Sequence, residues 1–399
     1  MPVLDDAREI QGELVDLRRR LHREPELGLY LPRTQEKVLT AIDGLGLDVT
    51  VGESLSSVTA VLRGSRPGPA VLLRGDMDAL PVAERTGLDF AAPVERMHAC
   101  GHDLHTAMLA GAARLLAGQR EKLCGDVIFM FQPGEEGYDG ARHMVDEGVL
   151  DAAGGRVVAA YALHVMSMMP VGRFTTRSGP FLSASDTARV TVRGAGGHGS
   201  MPHTALDPIP AACEMVLALQ AFVTRRFDIH DPVVITVGTI HGGTQHNVIP
   251  DDVCFEATVR SYSDAAHAIA KDGFARIVRG IADAHGLTAD LEYDLLYPVT
   301  VNSDREARFA AETAIDLFGE QRFDWAAHPS AGSEDFSRVL AEVPGAMIML
   351  GSPPAGIEDP ARAPANHSPL AEFDESVLGD GAAFYADLAL RRLAAEPAA

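Results

Sequence analysis

Cys100, His102 and His105 fall together in the segment MHACGHDLH (97–105). Cys100 and His102 flank Gly101 in a turn, so both side chains can reach one ion. His102 and His105 are three apart and share a face once a helix has begun. Thiolate and imidazole are donors suited to zinc, manganese, nickel or cobalt. For a lone His or Cys the plainer reading is a polar helix start, with Asp103 near the N-cap. Cys and His side by side, with two more histidines next to them, favour a metal.

Glu135-Glu136 follows the apolar run DVIFMF by three residues in QPGEE. The whole of DVIFMFQPGEE (126–136) reads as a strand, and the pair as its direct continuation. Adjacent carboxylates project in different directions, so one can bind a cation while the other moves a proton of water. Metal-assisted hydrolysis needs that division. An acidic pair taken alone reads as a solvated turn. His164 closes the run RVVAAYALHV, where a histidine bonded to backbone is the bland alternative. Asp76 and Asp78 alternate at the end of AVLLRGD and beyond, so they point the same way. One of them could orient a ligand histidine. His367 in NHSP precedes a Ser-Pro turn and says little by itself.

Farther along, GGHGSMPH holds His198 and His203 in a Gly-rich loop, HNVIP holds His246 and Asn247, and TVR ends in Arg260. An Arg, an Asn and a His suit an anionic substrate and a polarised carbonyl. Loop polarity and a surface Arg explain the same residues, and position alone does not separate the two readings. No GxSxG elbow, P-loop or Rossmann fingerprint competes.

These groups are far apart in sequence, so the elements that carry them must converge. SVTAVLRG, AVLLRGD, DVIFMFQPGEE, RVVAAYALHV and PGAMIMLGS are apolar runs of strand length. Between them, 103–118, GARHMVDEGVL and 374–395 read as helices, and Ile10, Leu14, Leu17 and Leu21 recur at helical spacing near the N-terminus. Apolar strands alternating with helices predict an α/β fold, a mostly parallel central sheet flanked by helices. Such sheets place ligands beyond the carboxyl ends of their strands, where Asp76, Asp78, Glu135, Glu136 and His164 all fall.

Near 186 the texture changes. TARVTVRG, a helix, PVVITVGTIHGG, DVCFEATVRSY, a helix over 264–286 and LTADLEYDLLYP predict an inserted α+β domain of ferredoxin-like order. One face of its sheet would cover the helix pair and leave the other for contact. The expected boundaries are 1–185 with 297–399 for the outer domain and 186–296 for the insert. The AAEPAA tail is expected to fray.

Composition narrows the partners. The 399 residues are 46% hydrophobic and 23% charged, with a formal net charge of −22. That balance argues against nucleic acid, which is held by clustered Lys and Arg. No apolar run reaches a membrane span. The four cysteines, at 100, 124, 213 and 254, form no CxxC pair or disulfide framework. The N-terminus lacks a signal-peptide pattern. The expected place is the reducing cytoplasm.

Taken in order, RGDMDALP, MHACGHDLH, QPGEEG, ALHV, GHGSMPH, NVIP, GSEDF and NHSP form a specific series. The chain resembles the aminoacylase/carboxypeptidase-like family of di-metal amidohydrolases, in the branch of hippurate hydrolase and auxin–amino acid conjugate hydrolases. The match runs from about residue 10 to 390. The resemblance implies a catalytic domain with an inserted lid or dimerisation domain. It implies two divalent ions (manganese, zinc, nickel or cobalt, with manganese or zinc favoured) on Cys100, His102, Glu136, His164 and His367. Glu135 matches the general acid/base, Asp78 an aspartate behind the ligands, and His198 a histidine that assists the substrate carbonyl, in some members from the partner subunit. Asn247 and Arg260 match positions for the substrate carboxylate. Many relatives carry His-x-Asp where this chain has Asp76-Met77-Asp78, and Cys100 takes a carboxylate's place. The implied activity is hydrolysis of N-acyl amino acids by a homodimer joined through the insert. A dipeptidase or aminopeptidase of the same broad family, or a relative that binds without catalysis, are the alternatives.

Overall fold

The computed structural model describes residues 2–395, so residues 396–399 of the expected frayed tail fall outside it. The chain divides into two compact units. The first comprises residues 1–181, 301–328 and 335–399, and the second comprises 182–300 and 329–334.

An eight-stranded sheet organises the first unit. Its spatial order is β1 (Asp48–Val51), β2 (Val58–Leu62), β4 (Cys124–Gln132), β3 (Arg66–Asp76), β5 (Ala159–Met166), β16 (Gly345–Gly351), β6 (Phe174–Thr176) and β15 (Phe323–Trp325). The central neighbours β4, β3, β5 and β16 pair in parallel. The strands β1 and β2, and the β16–β6 contact, are antiparallel. The parallel centre is where the sequence is apolar without alternation: Val71–Leu73, Val127–Phe131, Ala159–Leu163 and Ala346–Leu350 are all buried. Strands covered on both faces have no polar side to show.

The first unit's helices are α1 (Pro2–Glu9), α2 (Gln11–His22), α3 (Pro32–Ile42), α4 (His102–Gly118), α5 (Gly140–Asp146), α8 (Asp304–Phe318), α9 (Ser337–Glu342) and α10 (Leu378–Ala394). Leu14, Leu17 and Leu21 of α2 are buried, as their spacing predicts. Helix α4 is buried on nearly every side, and its run of Ala, Leu and Met packs in one core with α2, α10 and the sheet. Crossovers leave β3 toward β4 and β4 toward β5, in opposite directions across the sheet. The strand order therefore reverses beside β3 and β5, which is where an open α/β sheet forms its ligand crevice.

In the second unit, β8 (Ala184–Arg193), α6 (Pro208–Arg226), β10 (Val234–Gly242), β12 (Asp252–Ser261), α7 (Asp264–Ala284) and β13 (Thr288–Tyr297) follow one another. The sheet order β10-β12-β8-β13, antiparallel throughout, is the ferredoxin-like arrangement. Asp207 and Ser263 cap α6 and α7 by accepting from Ile209 N–H and Ala266 N–H. Val190, Val192, Phe255 and Val259 face Met215, Leu219, Phe274 and Val278 of the two helices. The opposite face is polar, with Arg189 between Glu256 and Glu292 and Arg193 on Asp290. Two short pairs complete the topology: β9 (Gly197–His198) with β11 (Val248–Ile249), and β7 (Gly179–Leu182) with β14 (Thr300–Asn302).

Candidate active site

Seven of the expected residues converge at the carboxyl ends of the central strands. Cys100 and His102 arrive on the turn into α4. The turn is possible because Gly101 has φ of +86°, and a Cβ there would meet Val165 Cγ2 at 2.3 Å. Glu135 and Glu136 do not follow their strand directly as expected. β4 ends at Gln132, and Pro133-Gly134 turns the pair inward. His164 is on β5, and His367 comes from the loop before α10 with φ of +73°, a left-handed conformation for a non-glycine residue.

Among their donor atoms two trios share one sulfur, and a third joins His102, Glu135 and Glu136. Cys100, His102 and His164 are one trio, and Cys100, Glu136 and His367 the other, all within 4.8 Å of one another in each. Cys100 Sγ is 3.5 Å from His164 Nε2 and 3.2 Å from His367 Nε2. His367 Nε2 is also 3.1 Å from Glu136 Oε1. His102 Nε2 is buried without a hydrogen-bond partner and faces oxygens of Asp76, Glu135 and Glu136 at 3.7, 4.0 and 4.0 Å. These separations are too long for hydrogen bonds. They suit donors gathered around an ion at about 2.0–2.3 Å from each. A thiolate, imidazoles and a carboxylate fit a borderline divalent cation.

Asp78 organises the site from behind. Its Oδ1 is 3.3 Å from His102 Nδ1 and accepts from Glu135 N–H at 3.0 Å, and its Oδ2 accepts from Glu136 N–H at 3.0 Å. One buried carboxylate thus turns His102 so that Nε2 faces the centre and fixes the backbone of both glutamates. His164 Nδ1 is held by Val165 O at 2.8 Å, which leaves its Nε2 for the centre too.

The electrostatics are those of a cation trap. Burial works to raise the Glu136 carboxyl, but His367 and His102 outweigh it and keep it below its usual range. Hydrogen bonds to Cys100 and Glu136 push His367 up to about 10. Burial opposes charge on His102, yet Asp76, Asp78 and Cys100 raise it well above the ordinary value. His164, with no comparable partner, is driven well below by burial. The protons favoured on His102 and His367 stand where a metal would.

Two neighbours of the ligand turn serve the fold. Asp103 is near the N-cap, as the plainer reading has it: Gly101 occupies the cap position, and Asp103 in the first turn is buried on Arg18 at 2.7 Å and His22 at 2.8 Å. Burial would raise Asp103, but Arg18 and His22 hold it well below the carboxylate range. Removing Arg18 would leave that buried charge to His22 alone, a destabilising change. His105 shares the first turn of α4 with His102, but both its nitrogens are engaged, by Asp76 Oδ1 and Val165 N–H. It therefore has no lone pair for an ion.

The second unit holds the other three expected residues, and it does not gather them. His198 and Asn247 are exposed on neighbouring loops joined by β9 and β11, with Gly199 N–H on Asn247 O at 2.8 Å. His198 Nδ1 accepts from Ser200 N–H at 3.1 Å. A backbone N–H can only donate, so the imidazole proton sits on Nε2. These loops are anchored at Asp251, on the Asp252 end of β12. Arg260 is at the other end of that strand, about 27 Å away at the strand rise. One copy of the unit cannot offer Asn247 and Arg260 to the same small carboxylate.

Sequence reasoning missed Asn366. Its side chain donates to Val165 O at 3.0 Å and Cys100 O at 3.3 Å, pinning the His367 loop against the two donor segments. Its position beside His in NHSP was the available signal.

Paired donor trios, with a spare carboxylate at the crevice of a doubly covered sheet, define a metal-dependent hydrolase. The chain matches Peptidase family M20/M25/M40 over residues 72–391, and it belongs to that family. It is 37% identical to thermostable carboxypeptidase 1 of Saccharolobus solfataricus over 97% of both chains. It is 32% identical to hippurate hydrolase of Campylobacter jejuni, covering 98% of this chain and 100% of that one. The structure of the Bacillus subtilis YxeP protein, described as a dinuclear metal-binding peptidase of the M20 family, superposes with a TM-score of 0.83 at 30% identity. It covers 97% of this chain and 99% of that one.

Proposed function

We propose that this protein is a metal-dependent amidohydrolase that cleaves the amide bond of N-acyl amino acids. The observation that carries the reading is the pair of donor trios sharing Cys100, with Glu135 beside them and clamped by Asp78. The likeness to hippurate hydrolase supports the substrate class. Cys100, His102, Glu136, His164 and His367 would hold two divalent ions, manganese or zinc by preference, as the likeness to a dinuclear relative supports. Such ions would supply Lewis-acid chemistry there, polarising the amide carbonyl and lowering the pKa of water.

The residues of the chain do the rest. Glu135 takes the proton from the attacking water and delivers it to the leaving amine nitrogen, one carboxylate serving as base and then acid. Asp78 keeps Glu135 and His102 in place for both steps. His198, with its proton on Nε2, donates to the carbonyl oxygen as negative charge develops on it. Arg260 and Asn247 bind the substrate carboxylate and its surroundings.

A homodimer joined through the second unit reconciles the separated residues, since a second copy can bring the His198–Asn247 end to a site served by the first copy's Arg260. Strand β10 is an open edge of its sheet, with Val234 and Ile240 exposed along it, and edge strands of this kind pair. All four cysteines are unpaired, which supports a cytoplasmic place. No described helix is long and apolar enough to cross a membrane.

The test is metal analysis combined with a panel of N-acetyl and N-benzoyl amino acids and dipeptides, using chelator-treated protein as control. Hydrolysis of the acyl compounds that chelation abolishes and metal restores is the expected result. Peptidase activity is the second reading, favoured by the likeness to the carboxypeptidase. A protein that turned over only the peptides would establish it in place of the first.

A further inference from the structure

The two strands that flank the crevice separate just where the site begins. β3 and β5 pair from Val71↔Ala159 to Arg74↔Ala162 and no farther. Alternate residues of β5 direct their amides toward β3, so the parting leaves Leu163 and Val165 without a strand partner. An unpaired buried N–H is costly. Both amides are instead met by side chains. Leu163 N–H donates to Tyr385 Oη at 2.6 Å, and that hydroxyl donates to Arg74 O at 2.6 Å, so Tyr385 spans the gap. Val165 N–H donates to His105 Nε2 at 2.8 Å. His164 is the residue between them.

The His105 bond also fixes a tautomer. Nε2 accepts from a backbone amide, so the ring proton is on Nδ1, 2.5 Å from Asp76 Oδ1. Asp76 is paired in turn with Arg74. Arg74 donates to Gln132 Oε1 at 2.8 Å and Asp335 Oδ1 at 3.0 Å, and Gln132 Nε2 donates to Asp335 as well. Asp76, His105 and Asp335 lie in three sequence motifs and have no part in the proposed chemistry. They form one buried chain of hydrogen bonds that ends on the backbone beside His164.

We propose that His105 and Tyr385 are positioning residues of the metal centre. They are side-chain substitutes for the missing strand, holding the backbone on either side of His164 and setting the spacing between the His164 and His102 donors. The inference rests on His164 being a ligand, as the proposed function has it.

Cobalt(II) binding to metal-free protein tests it, read by titration and by the visible absorption of the bound ion. Tyr385→Phe removes one oxygen and keeps the volume. His105→Leu removes both hydrogen bonds, whereas His105→Gln returns an acceptor for Val165 N–H. Tyr161→Phe is the control, because Tyr161 bonds Glu306 elsewhere under the same sheet. Tyr385→Phe and His105→Leu are expected to bind cobalt about 10–100-fold more weakly with a shifted spectrum, the usual scale for supports behind metal ligands. His105→Gln should recover much of the affinity, and Tyr161→Phe should lower the melting temperature alone. Should His105→Leu fail to fold, Tyr385→Phe carries the test. If Tyr385→Phe and His105→Leu only melt earlier, with wild-type cobalt affinity and spectrum, the proposal is overturned. His164→Ala separates the two levels: full cobalt binding in that variant would remove the ligand assignment itself.

Discussion

The residues proposed for the chemistry and those proposed for the substrate are built in opposite ways. In the first unit, Asp78, His102 and Glu135 are buried at strand and helix ends, and Asp78 joins the other two by hydrogen bonds. In the second unit, His198 and Asn247 are exposed on loops held by a two-residue pairing, and Arg260 is half-buried. The contrast follows from what each must do. Donors around an ion tolerate little error and need rigid support. Groups that admit and release a substrate belong on segments that open at small cost.

Substitutions can break that contrast or sharpen it. The largest effect is expected for Glu135→Gln, with kcat falling by about 10³-fold or more while metal content, measured by elemental analysis, stays at the wild-type level. Loss of metal would place Glu135 among the ligands and blur its separate role. Next is His198→Ala, where the loss of a donor to the developing oxyanion lowers kcat by about 10²-fold. Metal content should again be unchanged, and a drop would show that the two regions are not independent.

Metal affinity should depend on pH in a defined direction. His367 is raised to about 10 without metal, so binding at neutral pH must expel its proton. Affinity should climb with pH by up to about tenfold per unit for each proton that binding expels, from His367 and from the likewise raised His102. Calorimetry in buffers of different ionisation enthalpy would detect the released proton. Arg260→Ala should raise KM by about tenfold for substrates with a free carboxylate, and leave their carboxamide analogues unaffected. An equal rise for both would move Arg260 out of the carboxylate site.

The smallest effect concerns stability. The hydrogen bond to Asp186 raises His267 above its usual value. A group raised on folding contributes fully below the unfolded value near 6.5, and that contribution fades as pH climbs through the folded one. His267→Gln should flatten this alkaline decline in melting temperature, with no change in metal binding.

Much of this arrangement could be read in the sequence. Apolar runs without alternation revealed the parallel centre, and the rule of strand ends collected Asp78, Glu135, Glu136 and His164 on one rim. The insert's element order was equally plain. The supports were not legible. Arg74 meets Asp335 across 261 residues, and Asn366 reaches Cys100 across 266. Such bonds leave no local pattern, because each depends on where the finished fold brings two distant segments. Spacing put His105 on one face with His102, but spacing shows which side chains are near one another and not which of their atoms are already taken. Asn247 and Arg260 are close in sequence but stand apart because the single extended strand β12 runs between them.

The first unit is written in three pieces, and that has a consequence for its synthesis. Strand β5 ends at Met166, but its outer neighbour β16 begins at Gly345, 179 residues later. At about 5–20 residues per second, a nascent chain exposes that apolar edge for roughly 10–35 seconds. The second unit's 182–300 stretch is continuous and can fold during the wait. His367 emerges later still, so the trio of Cys100, Glu136 and His367 is complete only when translation is nearly over. Ribosomes that stall before Gly345 would release chains with a bare, hydrophobic strand edge.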